Sequence, residues 1–229
     1  QILPYHVLLA PMDIDWFKNY MATLAYADCE DGGRLDLYAE VIDPRNAVLN
    51  GVANITRGNL FVGRSFIHVI DQVLPLPTIP DFVTLDPNFS ILVDALLRAD
   101  LTTDFVVALL GEGPFTVFAP TNEAFIALLD SNPDWNSLDD IPADVLETVL
   151  SYHVVPNNNL ALHELSAGTT VETLAADAEG NPLTLTSGVS GTSIEIAGGS
   201  STATILDGIR AEIQSNNGVI HAIDTVLLP

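Results

Sequence analysis

Cys29 is the only cysteine among 229 residues, so no intramolecular disulfide can form, and cysteine usage assigns neither an oxidising nor a reducing compartment. Basic residues are almost as scarce. Lys18 is the sole lysine, and 7 Lys and Arg stand against 30 Asp and Glu, a net charge of −23. The shortage deepens along the chain: residues 1–75 carry 5 basic and 9 acidic side chains, whereas 76–229 carry 2 basic (Arg98, Arg210) and 21 acidic ones. Such a surface repels polyanions, which excludes nucleic acid and anionic membranes as direct partners. It suits cations, basic partners or a salty medium, and it serves solubility. No run of about 18 apolar residues occurs, so no transmembrane helix is expected. The nucleophile elbow Gly-x-Ser-x-Gly, the P-loop, paired cysteines and the His-Glu-x-x-His zinc motif are all missing. A protein without catalysis, metal centre or cofactor is the expectation.

What is present is apolar material and repetition. Hydrophobic residues make up 48 % of the chain, enough for a packed core. The length suits one large domain or nearly two average ones. Three motifs occur twice in the same order. LPYHVL at 3–8 matches LSYHVV at 150–155. TLAYADCEDGGRLDLY at 23–38 parallels TLAADAEGNPLTLT at 173–186. FIHVIDQVLPLP at 66–77 matches VIHAIDTVLLP at 219–229. Residues 81–149 precede the second YHV and have no counterpart before Tyr5. The chain therefore reads as a complete unit, 78–229, preceded by the C-terminal half of another, 1–77. A half unit leaves an apolar face uncovered, which predicts that further chain precedes Gln1 or that a partner chain supplies the cover.

The complete unit reads as helices followed by strands, an α+β arrangement. LDPNFSILVDALLRADL (85–101) is expected to be one helix, with Asp86 as cap and Pro87 in the first turn. A short helix follows in TDFVVALLG, ended by Gly111. GPFTVFAP is bounded as a strand. TNEAFIALLD is a helix capped by Thr121, and IPADVLETVLSYHVV is a helix running into a strand near Tyr152. From PLTLTS onwards the apolar period becomes two, as in strands.

GPFTVFAPTNEAF at 113–125, YHV at 152–154 and NGVIHAIDTVLLP at 217–229 together resemble the motifs of the fasciclin-type adhesion domain, in that family's order and spacing. The resemblance covers essentially all of 78–229. It implies a tandem fold of packed β-sheets in a wedge, with several helices on one side. It also implies an extracellular or cell-surface protein, with the periplasm or an organelle lumen as other exported locations, acting in adhesion or matrix assembly without enzymatic activity. In some animal members an Asp-Ile pair just before the Asn-Gly turn carries integrin binding. The matching positions here are Glu212 and Ile213, one methylene longer at the carboxylate; the first copy has Asn59 and Leu60. That copy also reads Arg64-Ser65 where the second has Asn217-Gly218, and Asn-Gly is the pair that favours positive φ.

Eight residues stand out as structural motif or partner contacts: Thr121, Asn122, Tyr152, His153, Glu212, Ile213, His221 and Asp224. His221 and Asp224 are three apart in a strand, so their side chains leave opposite faces and cannot converge on a metal or substrate. His221 shares its face with Val219 and Ile223, which predicts a half-buried histidine with a hydrogen-bond partner. The same holds for His68 and Asp71. Tyr152-His153 is expected to satisfy backbone groups where helix gives way to strand, although in the family this dipeptide is also linked to cell binding. Thr121-Asn122 is expected to fix the corner after Pro120, with a solvent-facing contact site as the alternative. The acidic loop DCEDGG at 28–33 lacks the spacing of an EF-hand, so at most weak Ca²⁺ binding is expected there. Asn54 and Asn88 head glycosylation triplets. The partners that fit are a protein or polysaccharide at a surface or matrix, or a second copy through the incomplete first unit. A filament subunit and a small-ligand carrier using the crevice between sheet and helices remain the other readings.

Overall fold

Alternating apolar residues between glycine and asparagine turns build the first half into strands, because one face of each strand must leave water. A computed structural model describes residues 1–28, 32–166, 168–191, 193–207 and 211–229. A single helical turn, α1 (Ile2–Tyr5), leads into an antiparallel meander of β1 (Tyr20–Tyr26), β2 (Arg34–Asp43), β3 (Asn46–Leu49), β4 (Ala53–Val62) and β5 (Ser65–Ile70). Its buried face, with Ile14, Met21, Leu35, Leu37, Leu49, Ile55 and Leu74, closes around Tyr5 as one core.

The second half begins with helices: α2 (Ile79–Leu85), α3 (Ser90–Leu96) and α4 (Phe105–Leu109). The helix expected over 85–101 starts as expected, with Asp86 as cap and Pro87 in the first turn, but that turn is 3-10 and α3 stops at Leu96. Asp86 is extended, its carboxylate accepts the Asn88 amide, and residues 87–89 form a 3-10 turn before α3 starts. Proline at 87 disfavours helical backbone in the residue before it, which separates α2 from the turn. Helix α2, not expected from the sequence, opens with a capping box: the Asp81 carboxylate accepts the backbone N–H of Thr78 at 2.7 Å and the Thr78 hydroxyl at 2.6 Å. Helix α4 ends at Leu110 in right-handed backbone, so Gly111 is not the left-handed cap expected.

The chain then lays down β6 (Phe115–Pro120), α5 (Asn122–Asp130), α6 (Ala143–Tyr152), β7 (Val154–Pro156) and α7 (Leu162–Leu165), followed by β8 (Thr170–Ala176), β9 (Pro182–Ser190), β10 (Ser193–Ala197), β11 (Thr202–Thr204), β12 (Ile213–Ser215) and β13 (Gly218–Ile223). One sheet runs β12-β13-β6-β7 and another β11-β10-β9-β8. Strand β13 lies parallel to β6, with His221 opposite Phe118. The sheet holding β13 is covered on both sides. Ile220 and Ala222 join the core under the helices, and Ile223 with Phe118 joins the core against the other sheet. All six residues of β13 are therefore buried. This corrects the half-buried expectation for His221: it shares the face of Ile223, stacks on Phe118, and is sealed where that face packs against the second sheet.

The two halves share packing and polar contacts. Tyr20 and Tyr38 of the meander belong to the helix-side core, and Tyr20 stands edge-on to Phe82 at 5.6 Å. The Tyr20 hydroxyl donates to the buried Asp86 carboxylate at 2.9 Å. Gln214 forms a second link. Its backbone N–H donates to Asp36 at 2.9 Å, and its side-chain oxygen accepts the Gly33 amide at 3.2 Å.

Candidate functional site

The repeated motifs prove to be the same hydrogen-bond devices built twice. In the first half the Leu74 amide donates to His6 Nε2 at 3.0 Å, which leaves Nδ1–H to donate to Ile2 O at 2.7 Å. In the second half the Leu227 amide donates to His153 Nε2 at 2.9 Å, and Nδ1–H donates to Val149 O at 2.7 Å. Each histidine therefore pins the segment after a closing strand to the end of a helix. The tyrosines work alongside them. Tyr5 donates to Asp36 O on β2 and Tyr152 to Thr184 O on β9, each at 2.8 Å and each on the second strand of the repeated hairpin. Tyr152 also accepts the Gly199 amide at 3.1 Å. Thr23 and Thr173 repeat a third device, each hydroxyl donating at 2.9 Å to a carbonyl across the hairpin (Leu35 O, Leu183 O).

Burial sets the electrostatics. His153 is enclosed, and desolvation pushes its pKa down to about 4 against the lift from its bond to Val149 O. Its Nε2 is already occupied by an amide donor, so a second proton has no acceptor to meet. His221 is fully buried and stacked on Phe118, with ring centroids 5.7 Å apart. Its Nδ1 lies 2.6 Å from Ala211 O and its Nε2 lies 2.8 Å from Leu160 O. Two carbonyls and the nearby Glu212 carboxylate favour a proton, but burial outweighs them and the pKa moves down. The matching His68 is arranged differently: the Asn59 amide donates to Nδ1 at 3.3 Å, and Nε2–H donates to Met12 O at 3.0 Å.

The aspartates stand apart from the histidines. Asp224 is exposed just beyond β13 and accepts the Thr204 amide at 2.7 Å. Asp71 accepts the Asn54 amide at 2.8 Å in the same way, and the Asn54 side chain of the first glycosylation triplet donates to it as well. Among the described residues no three His, Cys, Asp or Glu side chains gather at a spacing that could hold a metal ion. Of the acidic loop, Cys29, Glu30 and Asp31 lie outside the described residues.

The remaining candidates are placed as follows. Thr121 caps α5 by accepting the Ala124 amide. Asn122 points inward to the neighbouring helix: its carbonyl oxygen accepts the Ile91 amide, and its amide donates to Pro87 O, both at 2.9 Å. Glu212 accepts the Leu162 amide at 2.8 Å, and Ile213 is fully buried in the helix-side core. The Glu212-Ile213 pair is thus part of the framework rather than an exposed recognition loop. The Asn-Gly turn also differs from expectation. The two residues between paired Ser215 and Gly218 are Asn216 and Asn217, neither with positive φ. Gly218 has φ 153, and a Cβ there would fall 2.1 Å from Phe115 O, so the close parallel strand requires glycine. In the first half the turn is Gly63-Arg64, and Gly63 at φ 65 supplies the special backbone.

What the sequence reading did not single out is the exposed side of the β4–β5 hairpin. Ile67, 51 % exposed, shares one face with the open Val62 and Val69, and Phe61, 66 % exposed, stands beside Phe66 on the other. Among the described residues β5 pairs with β4 alone, whereas its counterpart β13 is flanked by β12 and β6. A groove of about 500 Å³ runs beside this edge, walled by Leu8, Phe17, Leu37, Phe66 and Leu74. The clue was present in the repeat, since a strand equivalent to β6 has no counterpart in the first copy.

The model of the fasciclin domain family matches residues 87–229. Human periostin is 35 % identical over 191 residues, covering 81 % of this chain but only 20 % of periostin. Protein sll1483 of Synechocystis sp. is 40 % identical over 152 residues, covering 66 % of this chain and 73 % of that protein. Among solved structures, the FAS1 domain pair of the insect cell adhesion molecule Fasciclin I superposes with a TM-score of 0.57 at 17 % identity, covering 100 % of this chain and 79 % of that one. With the α+β architecture and the repeated strand-end devices on the same footing, the chain belongs to the fasciclin domain family.

Proposed function

We propose that this chain is an exported, non-catalytic binding module that works in adhesion at a cell surface or in a matrix, with a protein as partner. One observation carries the reading: among the described residues the β-strand edge of β5 is unpaired, and Val62, Ile67 and Val69 are exposed on one face of its hairpin with Phe61 exposed on the other. Exposed apolar surface of this kind marks interaction sites, and an unpaired edge can accept a strand from a partner. Family membership supports adhesion, as does the fold shared with a cell adhesion molecule. The buried histidines are bonded to backbone groups at fixed distances, which suits a scaffold better than proton transfer. A charge of −23 gives the partner a basic complement.

The test is retention of cells or solubilised matrix on the immobilised protein. Ile67→Lys and Phe61→Ser should each weaken retention at least tenfold with an unchanged melting temperature. Retention equal to the parent protein would remove the hairpin from the site. Sedimentation of the same variants separates the filament-subunit reading. If the parent self-associates and Ile67→Lys is monomeric, the edge joins copies of this chain rather than a different partner.

A further inference from the structure

A second concavity lies in the fork between α2, α3 and α4. Its volume is about 120 Å³. The floor is Phe118, Leu150 and Val154, and the walls include Val83 and Leu92. Two polar side chains reach it, and both are already engaged. The His153 ring is bonded at both nitrogens, to the Leu227 amide and to Val149 O. The Thr84 hydroxyl donates back to the α2 backbone at Pro80 O (2.7 Å) and Asp81 O (3.0 Å). No charged group lines the space. A water inside would lack the two to four polar partners that hold buried water, so hydrocarbon is favoured over water there. Apolar cavities near 150 Å³ stay empty of water and take up benzene or xenon, and this one approaches that size.

The mouth is also apolar. Leu97, which lines the cavity, is 63 % exposed, and Val107 and Leu110 of the α4 end are open to solvent nearby. Three short helices of 7, 7 and 5 residues frame the opening. An occupant longer than the cavity can therefore leave between them against hydrocarbon rather than against a charge.

We propose that this cavity is a binding site for an uncharged hydrocarbon group: a benzene-sized ring, or the end of an acyl chain whose polar head stays in solvent beyond Leu97. The site is independent of the β5 edge and of the adhesion reading. Occupancy would fill unsatisfied van der Waals surface beneath the helices and fasten α2 and α4 to the sheet.

The test is a benzene titration followed by methyl NMR and thermal unfolding. The methyls of Val83, Leu92, Leu109 and Val117 should shift saturably. At ten times the dissociation constant the melting temperature should rise by about 4 °C. Val106→Phe places a ring at the mouth and should abolish both effects while the protein stays folded. If that variant does not fold, xenon binding to the parent protein, read at the same methyls, takes its place. Decanoate that competes with benzene identifies an acyl chain as the natural class, and benzene binding without competition identifies a free small hydrocarbon. Absence of saturable shifts with both benzene and xenon would overturn the proposal. So would shifts confined to the groove methyls of Leu8, Leu37 and Leu74 that survive Val106→Phe.

Discussion

Lowering the pH from 7 to 4.5 should cost the folded protein about 2.5 kcal/mol through His153 alone, at about 1.4 kcal/mol per pKa unit. The perturbation acts on one ring. In the unfolded chain His153 takes up a proton as the pH falls through its ordinary value of 6.5, whereas in the fold it does so only near 4. Between these values the unfolded state holds more protons, so stability is full above pH 6.5 and declines as the pH falls towards 4. The structural reason is specific: protonating Nε2 would displace the Leu227 amide, which is bonded to it at 2.9 Å. The measurement is urea unfolding at pH 7 and 4.5 for the parent and for His153→Gln. The variant should be less stable at pH 7, yet lose about 2.5 kcal/mol less than the parent on acidification. His221, also shifted down, acts in both proteins and cancels in the difference. His153→Ala should lower the melting temperature outright, since a buried amide left without a partner costs about 1–3 kcal/mol. Parallel acid losses in parent and variant, or an NMR titration of His153 near 6.5, would refute this reasoning. An unchanged melting temperature for His153→Ala with lost partner binding would make Tyr152-His153 a recognition motif instead.

Two further outcomes follow from the packing. Gly218→Ala should destabilise by more than about 3 kcal/mol, because the added carbon meets Phe115 O at 2.1 Å and the parallel strands must part. Gly180→Ala, at φ 84 in open space, should cost only about 1 kcal/mol, and equal effects in thermal unfolding would disprove the steric argument. Gln214→Ala should destabilise the protein by about 1–3 kcal/mol, since that side chain serves Gly33 across the junction and Asn159 within the second half, and its loss leaves both without that partner. Calorimetry should show a lower transition temperature; an unshifted transition would deny the link its role.

Much of this was legible in the residues themselves. Repetition of YHV and IH-x-ID placed the same local devices in both halves, because spacing along the chain fixes which backbone groups a histidine or tyrosine can reach. Periodicity separated helices from strands wherever one face of an element is buried. Strand alternation alone predicted that His221 and Asp224 would not converge, and they do not: one is enclosed and the other bonds Thr204 in the open. Errors arose where a second contact overrode the local signal. The helix after Pro87 stops at Leu96, short of its apolar spacing, and the Asn-Gly pair was displaced from its turn by the needs of a neighbouring strand.

The sequence by itself determined the family, the α+β order of elements and the doubling of the motifs, because these depend on local pattern and spacing. Only the tertiary structure decided exposure. Ile213 and His221 are sealed because helices cover one face of the sheet and a second sheet covers the other. Phe61 and Ile67 are open because, among the described residues, β5 pairs with β4 alone. The apolar space under α2, α3 and α4 likewise exists only as a gap between side chains distant in sequence. Burial is a property of what approaches from elsewhere in the chain, and no local pattern encodes it.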